Sequence, residues 1–297
     1  MGRFKFSTPV LFLIFNRLYT TQKVFEEIRK IKPKQLFIAA DGPRSNKEKE
    51  KCKEVRNYVL KNIDWSCEIK TLFRRRNLGC KYAVSSAIDW FFQNVEKGII
   101  LEDDCLPNQS FFRFCQELLE RYKNNDKIMS ITGTNLLSKQ TQNKKESYLF
   151  SKYSFIWGWA TWKRAWEKNN LNINYLEIRN NFKKYYPNFI ERILFYKKIK
   201  DYVNNKVDTW DIPWNIAHQM NSAFCIVPKV NLIENLGFSN LLSTHTKENK
   251  WDIKFLHNKT NELIFPLIHP KKIKPNFKFD NSYILEELKR TTLKKLF

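Results

Sequence analysis

Three consecutive acids, Glu102-Asp103-Asp104, follow directly on the apolar run Ile99-Ile-Leu101. Adjacent carboxylates repel each other, so such a cluster at a strand end costs stability unless a cation offsets it. Hard divalent cations such as Mn²⁺ or Mg²⁺ take carboxylate oxygens together with substrate phosphates, so the triplet suits metal–diphosphate chemistry. A solvated acidic turn, or a cap for the helix expected over 108–123, is the alternative. A second group is Trp210-Asp211-Ile-Pro-Trp214. Indoles on both sides can dry and tune a carboxylate for general-base work, although Asp211 could equally cap the helix that follows. Asp208 is the other acid in the same loop. In Trp157-Gly-Trp159-Ala-Thr-Trp162, aromatic faces could stack on a sugar ring, with Gly158 letting backbone come close. Trp162 and Trp166, four residues apart at a helix start, read as core.

The elements that must position these residues alternate along the first hundred positions. Strands are expected over 10–15, 35–40, 68–73 and 98–101, with helices over 20–31, 46–61 and 82–94 between them. Helices between short apolar strands make βαβ units and a mostly parallel central sheet flanked by helices, an α/β fold. Ligands of such sheets bind at the carboxyl ends of the strands. There the chain places Asn16-Arg17, Asp41-Gly-Pro-Arg44, Arg74-Arg-Arg76-Asn-Leu-Gly79 and the acidic triplet. The arginine run could touch phosphates or be a solvated face. A helix over 108–123, a strand over 128–132 and an exposed polar loop over 138–147 follow. Beyond residue 150 aromatics crowd into what reads as a second lobe on the same sheet. The divisions are 1–134 as the ligand-binding half, 135–250 as the aromatic half of the same domain, and 251–297 as a basic extension.

Composition sets the outer bounds. The 297 residues carry 53 Lys+Arg against 30 Asp+Glu, a formal net charge of +23, and 15% are aromatic. Enough apolar surface is present for a large core, so disorder is excluded. The charge suits a polyanionic partner or an ordinary basic surface. Lysines spread along the chain, with acids at the expected binding edge, argue against nucleic acid as that partner. Pro9–Phe15 is too short to span a bilayer and lacks a signal-type cleavage site, so a cytoplasmic protein is expected. Six cysteines without a C-x-x-C pair read as reduced thiols. Residues 270–297 hold eight Lys/Arg against three acids, and a helix over 282–297 could lie on anionic lipid at the inner membrane face or pack as a terminal helix.

A strand ending in Glu-Asp-Asp, within a βαβ half followed by an aromatic lobe and Trp-Asp-x-x-Trp, resembles the GT-A glycosyltransferases. The likeness is to the N-acetylglucosaminyltransferase I type and to bacterial nucleotide-diphospho-sugar transferases. This resemblance implies that Asp104 ligates a Mn²⁺ or Mg²⁺ ion, with His245 in Ser243-Thr-His245 at a second family position. It implies that Asp103 approaches the ribose or donor sugar and that Glu102 supports the site. Arg17 would lie near the nucleotide phosphates and Asp41 would read the base, uracil, while Trp157 and Trp159 would wall the sugar. Asp211 would be the catalytic base of an inverting transfer from a UDP-linked sugar to a glycan or lipid-linked acceptor. The chain departs from the eukaryotic enzymes in lacking an anchor and stem. A sugar-nucleotide pyrophosphorylase would need a Gly-rich loop after the first strand, where Asn16-Arg-Leu-Tyr19 stands instead.

Overall fold

A computed structural model describes residues 5–238 and 259–293. The strands β1 (Val10–Ile14), β2 (Gln35–Ala40), β3 (Glu68–Phe73) and β4 (Lys97–Glu102) pair in parallel in the order β3-β2-β1-β4. Their crossovers are α1 (Leu18–Ile31), α2 (Asn46–Lys61) and α3 (Gly79–Phe92). β1 is buried along its whole length and β2 nearly so, which explains why their sequences are unbroken apolar runs rather than alternating ones.

The chain then makes a short strand β5 (Cys105–Pro107), α4 (Gln109–Arg121) and β6 (Ile128–Thr132). After a single turn of helix, α5 (Ser138–Thr141), come β7 (Tyr148–Ser151) and β8 (Trp159–Trp162). A further run of helices, α6 (Lys163–Trp166), α7 (Tyr175–Asn180), α8 (Phe182–Tyr185), α9 (Phe189–Val203) and α10 (Asp211–Met220), leads to β9 (Phe224–Pro228) and β10 (Ile233–Asn235). The eight-stranded sheet runs β3-β2-β1-β4-β8-β6-β9-β7, and β10 pairs with β5 outside it. β8 is antiparallel to both neighbours and β7 to β9, so the reversed strands all belong to the aromatic half. The final helix described is α11 (Phe277–Leu293).

One expectation changes here and one open alternative narrows. The polar stretch 138–147 is not a plain exposed loop, because Ser138, Thr141 and Ser147 are buried and Thr141 bonds the Lys229 carbonyl at 2.7 Å. The apolar side of α11 is turned inward: Phe279, Ile284 and Leu288 join a cluster with Tyr153, Phe155 and Phe195. Burial thus favours terminal packing for that helix over lipid. Among the described residues no helix is long and apolar enough to cross a membrane.

Each face of the sheet has its own core. Val10, Phe12, Leu36, Ile38, Ile99, Leu101 and Trp162 pack with helices α1, α2 and α4, while Leu11, Phe37, Ile100 and Trp159 pack with α3, α6 and α10. His218 of α10 is wholly buried between these layers. Its Nδ1 sits 2.9 Å from the Trp214 carbonyl and its Nε2 2.8 Å from the Ser130 hydroxyl. A carbonyl only accepts, so Nδ1 carries the proton and Nε2 accepts from Ser130. Burial lowers the His218 pKa from 6.5 to about 4. The unfolded chain therefore gains a proton before the folded chain does, and the stability conferred by the neutral ring is lost as pH falls through that window. The full loss is about 3 kcal/mol. Asp280 and Asp103, raised to about 6 by burial, and Glu102, raised to about 8, work in the opposite sense, so the comparison must be with a variant. In urea titrations, His218→Gln should flatten the fall in midpoint between pH 6.5 and pH 4; parallel wild-type and variant curves would refute this.

Candidate functional site

The carboxyl ends of β1, β2 and β4 open onto a cavity of about 600 Å³. Its polar wall holds Arg17, Asp41, Arg44, Arg74, Glu102 and Asp103. This is where a parallel sheet is expected to bind a ligand, and the volume suits a nucleotide-sized molecule. Of the arginine run only Arg74 lines it, with its guanidinium 2.7 Å from the Ser86 hydroxyl; Arg75 and Arg76 are exposed.

β1 and β4 are neighbours, which brings Arg17 onto the acidic triplet. The Arg17 guanidinium pairs with Asp103 and, at 2.9 Å, with Asp104. Asp103 is buried, and its other oxygen accepts the Phe15 N–H at 3.2 Å. Burial alone would lower the Arg17 pKa, but Asp103 and Asp104 outweigh it and hold the guanidinium charged. Three carboxylates meet one guanidinium, and the surplus is visible. Burial first, then Asp104 and Asp103, pushes Glu102 up to about 8; burial, opposed by Arg17, puts Asp103 at about 6. Glu102 accepts no hydrogen bond among the described residues.

Asp104 leaves the sheet toward the β5–β10 pair. Its carbonyl accepts the Leu236 N–H at 2.8 Å, and a Cβ on Gly237 would fall 2.5 Å from its Oδ2. The chain runs from this contact into residues 239–258, so His245 lies outside the described residues. Among the described residues no group of three His, Cys, Asp or Glu side chains is arranged to hold a metal ion.

Asp41 lines the cavity, yet its carboxylate is already bonded. It accepts from the Gly42 and Leu78 amides at 2.8 and 3.0 Å and from Asn77 Nδ2 at 2.8 Å. Asp41 thereby ties the loop after β2 to the loop after β3, and these loops touch so closely that a Cβ on Gly42 would lie 2.3 Å from the Arg76 backbone. Asp208 is committed in the same way, accepting the Cys80 and Lys81 amides at 2.8 and 2.9 Å at the start of α3. Those amides have no partner within the helix, so Asp208 acts there as a cap supplied from far along the chain. The position of Asp208 leaves Asp211 as the acid of that loop still open to a substrate.

Asp211 is the first residue of α10 and makes no capping bond; its carboxylate accepts the Thr209 hydroxyl. It lines a second cavity of about 210 Å³ with Trp157, Ser154, Asn215 and Tyr283. The Asp211 charge is among the lesser causes that raise Glu102, after burial and the neighbouring acids. Trp157 stands on a cavity wall, whereas Trp159 does not. Trp159 is wholly buried, with its ring 5.5 Å from that of Trp210 at 21°, packed also on Trp166 and Trp214. The reason is strand geometry: in β8, side chains alternate, sending Trp159 to one core and Trp162 to the other. Gly158 likewise meets Ile233 rather than a sugar, since a Cβ there would lie 2.3 Å from Ile233 Cδ1 and its φ is +58°.

Arg44 is the cavity residue that the sequence places at the binding edge without giving it a role. It bonds Glu48 and stacks over Phe15 at 5.4 Å, a placement that depends on β1 and β2 being neighbours. Its signals in the sequence are its place directly after the second strand and the Ser45…Glu48 capping box, which starts α2 there and puts Glu48 beside it.

No protein-family model matches the chain, and no curated protein matches it. Solved structures similar to it include HddC from Yersinia pseudotuberculosis, at 8% identity, with 57% of this chain and 85% of that one covered and a TM-score of 0.34. A cytidylyltransferase from Leptospira borgpetersenii serovar Hardjo-bovis is 12% identical over 60% of this chain and 69% of its own, with a TM-score of 0.35. S. aureus TarS 1-349 is 7% identical over 74% of this chain and 58% of its own, with a TM-score of 0.41. At such distances no activity passes from those proteins to this one, and the chemistry of the site follows from its own residues.

Proposed function

We propose that the protein is an inverting glycosyltransferase that moves a sugar from a nucleoside-diphosphate sugar, UDP-linked, to the hydroxyl of a glycan or lipid-linked acceptor. The observation that carries this reading is the nucleotide-sized cavity at the carboxyl ends of the parallel strands, together with a second cavity that holds Asp211. One is nucleotide-sized and lined by Arg17, Arg44, Arg74 and the acids of β4; the other holds Asp211 beside Trp157. The first would take the donor, with guanidinium groups on its phosphates. The second would take the acceptor, with the Trp157 ring against an apolar sugar face and Asp211 receiving the hydroxyl proton as the oxygen attacks the anomeric carbon. With Asp211 as base and the acceptor hydroxyl itself as the nucleophile, the transfer would be a single displacement that expels the nucleoside diphosphate, hence inversion.

Asp104 and Glu102 offer oxygen ligands and, with Asp103, more negative charge than Arg17 cancels, which is the chemistry a divalent cation takes. The diphosphate and water would complete its shell, because no third protein ligand joins them among the described residues. Asp104 would hold Mn²⁺ or Mg²⁺, with Glu102 in support. The ion's chemistry would be to offset charge on the departing diphosphate. The chain's own part is to fix the acids through the Phe15 amide and Arg17 and to keep Asp211 at the acceptor side. Asp103 at the cavity wall would approach the ribose or donor sugar, and Asp41, with its carboxylate held by Asn77 and the Gly42 and Leu78 amides, would lie beside the base.

The test is release of nucleoside diphosphate from a panel of nucleotide sugars, with Mn²⁺ or with chelator. Stimulation by the metal is expected, and its loss in Asp104→Ala. If no donor turns over under either condition and Asp104→Ala matches wild type, the reading fails. Pyrophosphate release from a nucleoside triphosphate and a sugar phosphate would instead make the protein a nucleotidyltransferase.

A further inference from the structure

Surface helices keep polar residues outward, and α9 does not. Its inner side, Leu194, Phe195, Ile199 and Tyr202, is buried in the core. Its outer side carries a second apolar stripe at helical spacing: Phe189, Ile193, Tyr196 and Val203 are 68%, 52%, 43% and 36% exposed. Tyr196 is held in place by its hydroxyl contact with Tyr175 and by the Phe182 ring at 6.1 Å, so the stripe is a built surface rather than a frayed end.

What borders the stripe identifies its partner. Lys197 and Lys200 are exposed on α9 beside it, and Lys183 and Lys184 are exposed on α8. Across residues 175–203 there are seven Lys/Arg against three acids. One of those acids, Glu191, is turned inward and paired with Lys152 at 2.7 Å, so the outer face is more basic than the count alone. An apolar stripe flanked by lysines on a helix lying in the surface is the pattern that enters the headgroup boundary of an anionic bilayer. A protein partner burying this face would need its own apolar patch ringed by acids; a bilayer of anionic lipid supplies both at once.

We infer that the outer face of α9 docks the protein on an anionic lipid bilayer, with Phe189 and Ile193 inserted among the headgroups and the lysines of α8 and α9 on the lipid charge. This gives the membrane contact a different place from the C-terminal helix, whose apolar side is packed inward. It also orients the molecule. The opposite side of the same helix, through Phe195, Lys198 and Ile199, lines the cavity that holds Asp211. A docked α9 brings that cavity to the membrane plane, within reach of an acceptor carried on a lipid. Docking itself asks nothing of the transfer chemistry, so the two readings fail separately.

The experiment is co-sedimentation of the full chain with vesicles of phosphatidylcholine alone and with about 30 mol% phosphatidylglycerol added. Binding is expected only to the anionic vesicles, weakened by raising NaCl to about 0.5 M. The pair Phe189→Ser/Ile193→Ser should bind them at least tenfold more weakly while nucleotide binding and thermal unfolding stay as in wild type. Lys197→Glu/Lys200→Glu should lose binding as well, whereas Lys49→Glu/Lys53→Glu on exposed positions of α2, an equal change in charge, should not. No binding to anionic vesicles, or unchanged binding by the Phe189/Ile193 variant, would overturn the inference. Equal loss from the α2 variant would reduce it to diffuse charge attraction. A concentration-dependent dimer abolished by Phe189→Ser/Ile193→Ser would assign the face to a second copy of the chain instead.

Discussion

Asp211→Asn is expected to lower kcat for sugar transfer by about 10²–10⁴-fold, the usual worth of a positioned general base, while donor affinity stays unchanged. The split follows from where the residue sits. Asp211 lines the smaller cavity with Trp157 and is not part of the wall formed by Arg17, Arg44 and Arg74. Asparagine keeps the shape and can still accept from Thr209, but it cannot take the acceptor's proton. Donor binding measured by titration calorimetry and turnover measured by nucleoside diphosphate release should therefore part company. The same substitution at Asp208 should behave differently, because that carboxylate holds the Cys80 and Lys81 amides at the start of α3. Asp208→Asn should lower stability and donor binding together. If Asp211→Asn loses donor binding in step with turnover, Asp211 is a structural residue and the base lies elsewhere.

The sequence makes the first half of this fold legible for a physical reason. Strands covered on both faces must be apolar throughout, so β1 and β2 stand out as runs, and the helices between them keep the 3.6-residue pattern. The acidic triplet is legible for the same reason, because three charges after such a run have few structural explanations. What stays hidden depends on which strands are neighbours. Nothing local says that Arg17 will meet Asp103 and Asp104, since that contact exists because β1 lies beside β4. Nor does Asp41 announce that its carboxylate will be taken up by Asn77 and Leu78 from the next loop. Trp159-Ala-Thr-Trp162 offers four residues, too few to show a period of two, so its role as a strand reversed between β4 and β6 is set by tertiary pairing. The second apolar stripe of α9 works against periodicity altogether, because a helix apolar on two sides shows no clear face.

Arg17→Met is the substitution expected to cost the most stability, about 3–5 kcal/mol, because it leaves a buried carboxylate without its counter-charge. Asp103 is buried between Glu102 and Asp104 on the same strand end, and among the described residues the only other hydrogen bond to its carboxylate comes from the Phe15 amide at 3.2 Å. A single methyl-thioether of similar length keeps the packing of the Arg17 stem and removes only the charge. The diagnostic is therefore a double-mutant cycle in urea, with chelator present so that no added cation stands in for the guanidinium. Asp103→Asn alone should be mildly destabilising. In the Arg17→Met background it should be stabilising, since it then removes the charge that has lost its partner. Additive losses would mean that Arg17 stabilises through its stem and not through the acids. The cycle also bears on donor binding. If Arg17 is committed to the carboxylates, the phosphates fall chiefly to Arg44 and Arg74, and Arg74→Met should weaken nucleotide binding without the loss of stability. Should Arg17→Met/Asp103→Asn fold well and still lose nucleotide affinity more than Arg74→Met, the guanidinium must leave the acids and turn to the phosphates when the donor arrives.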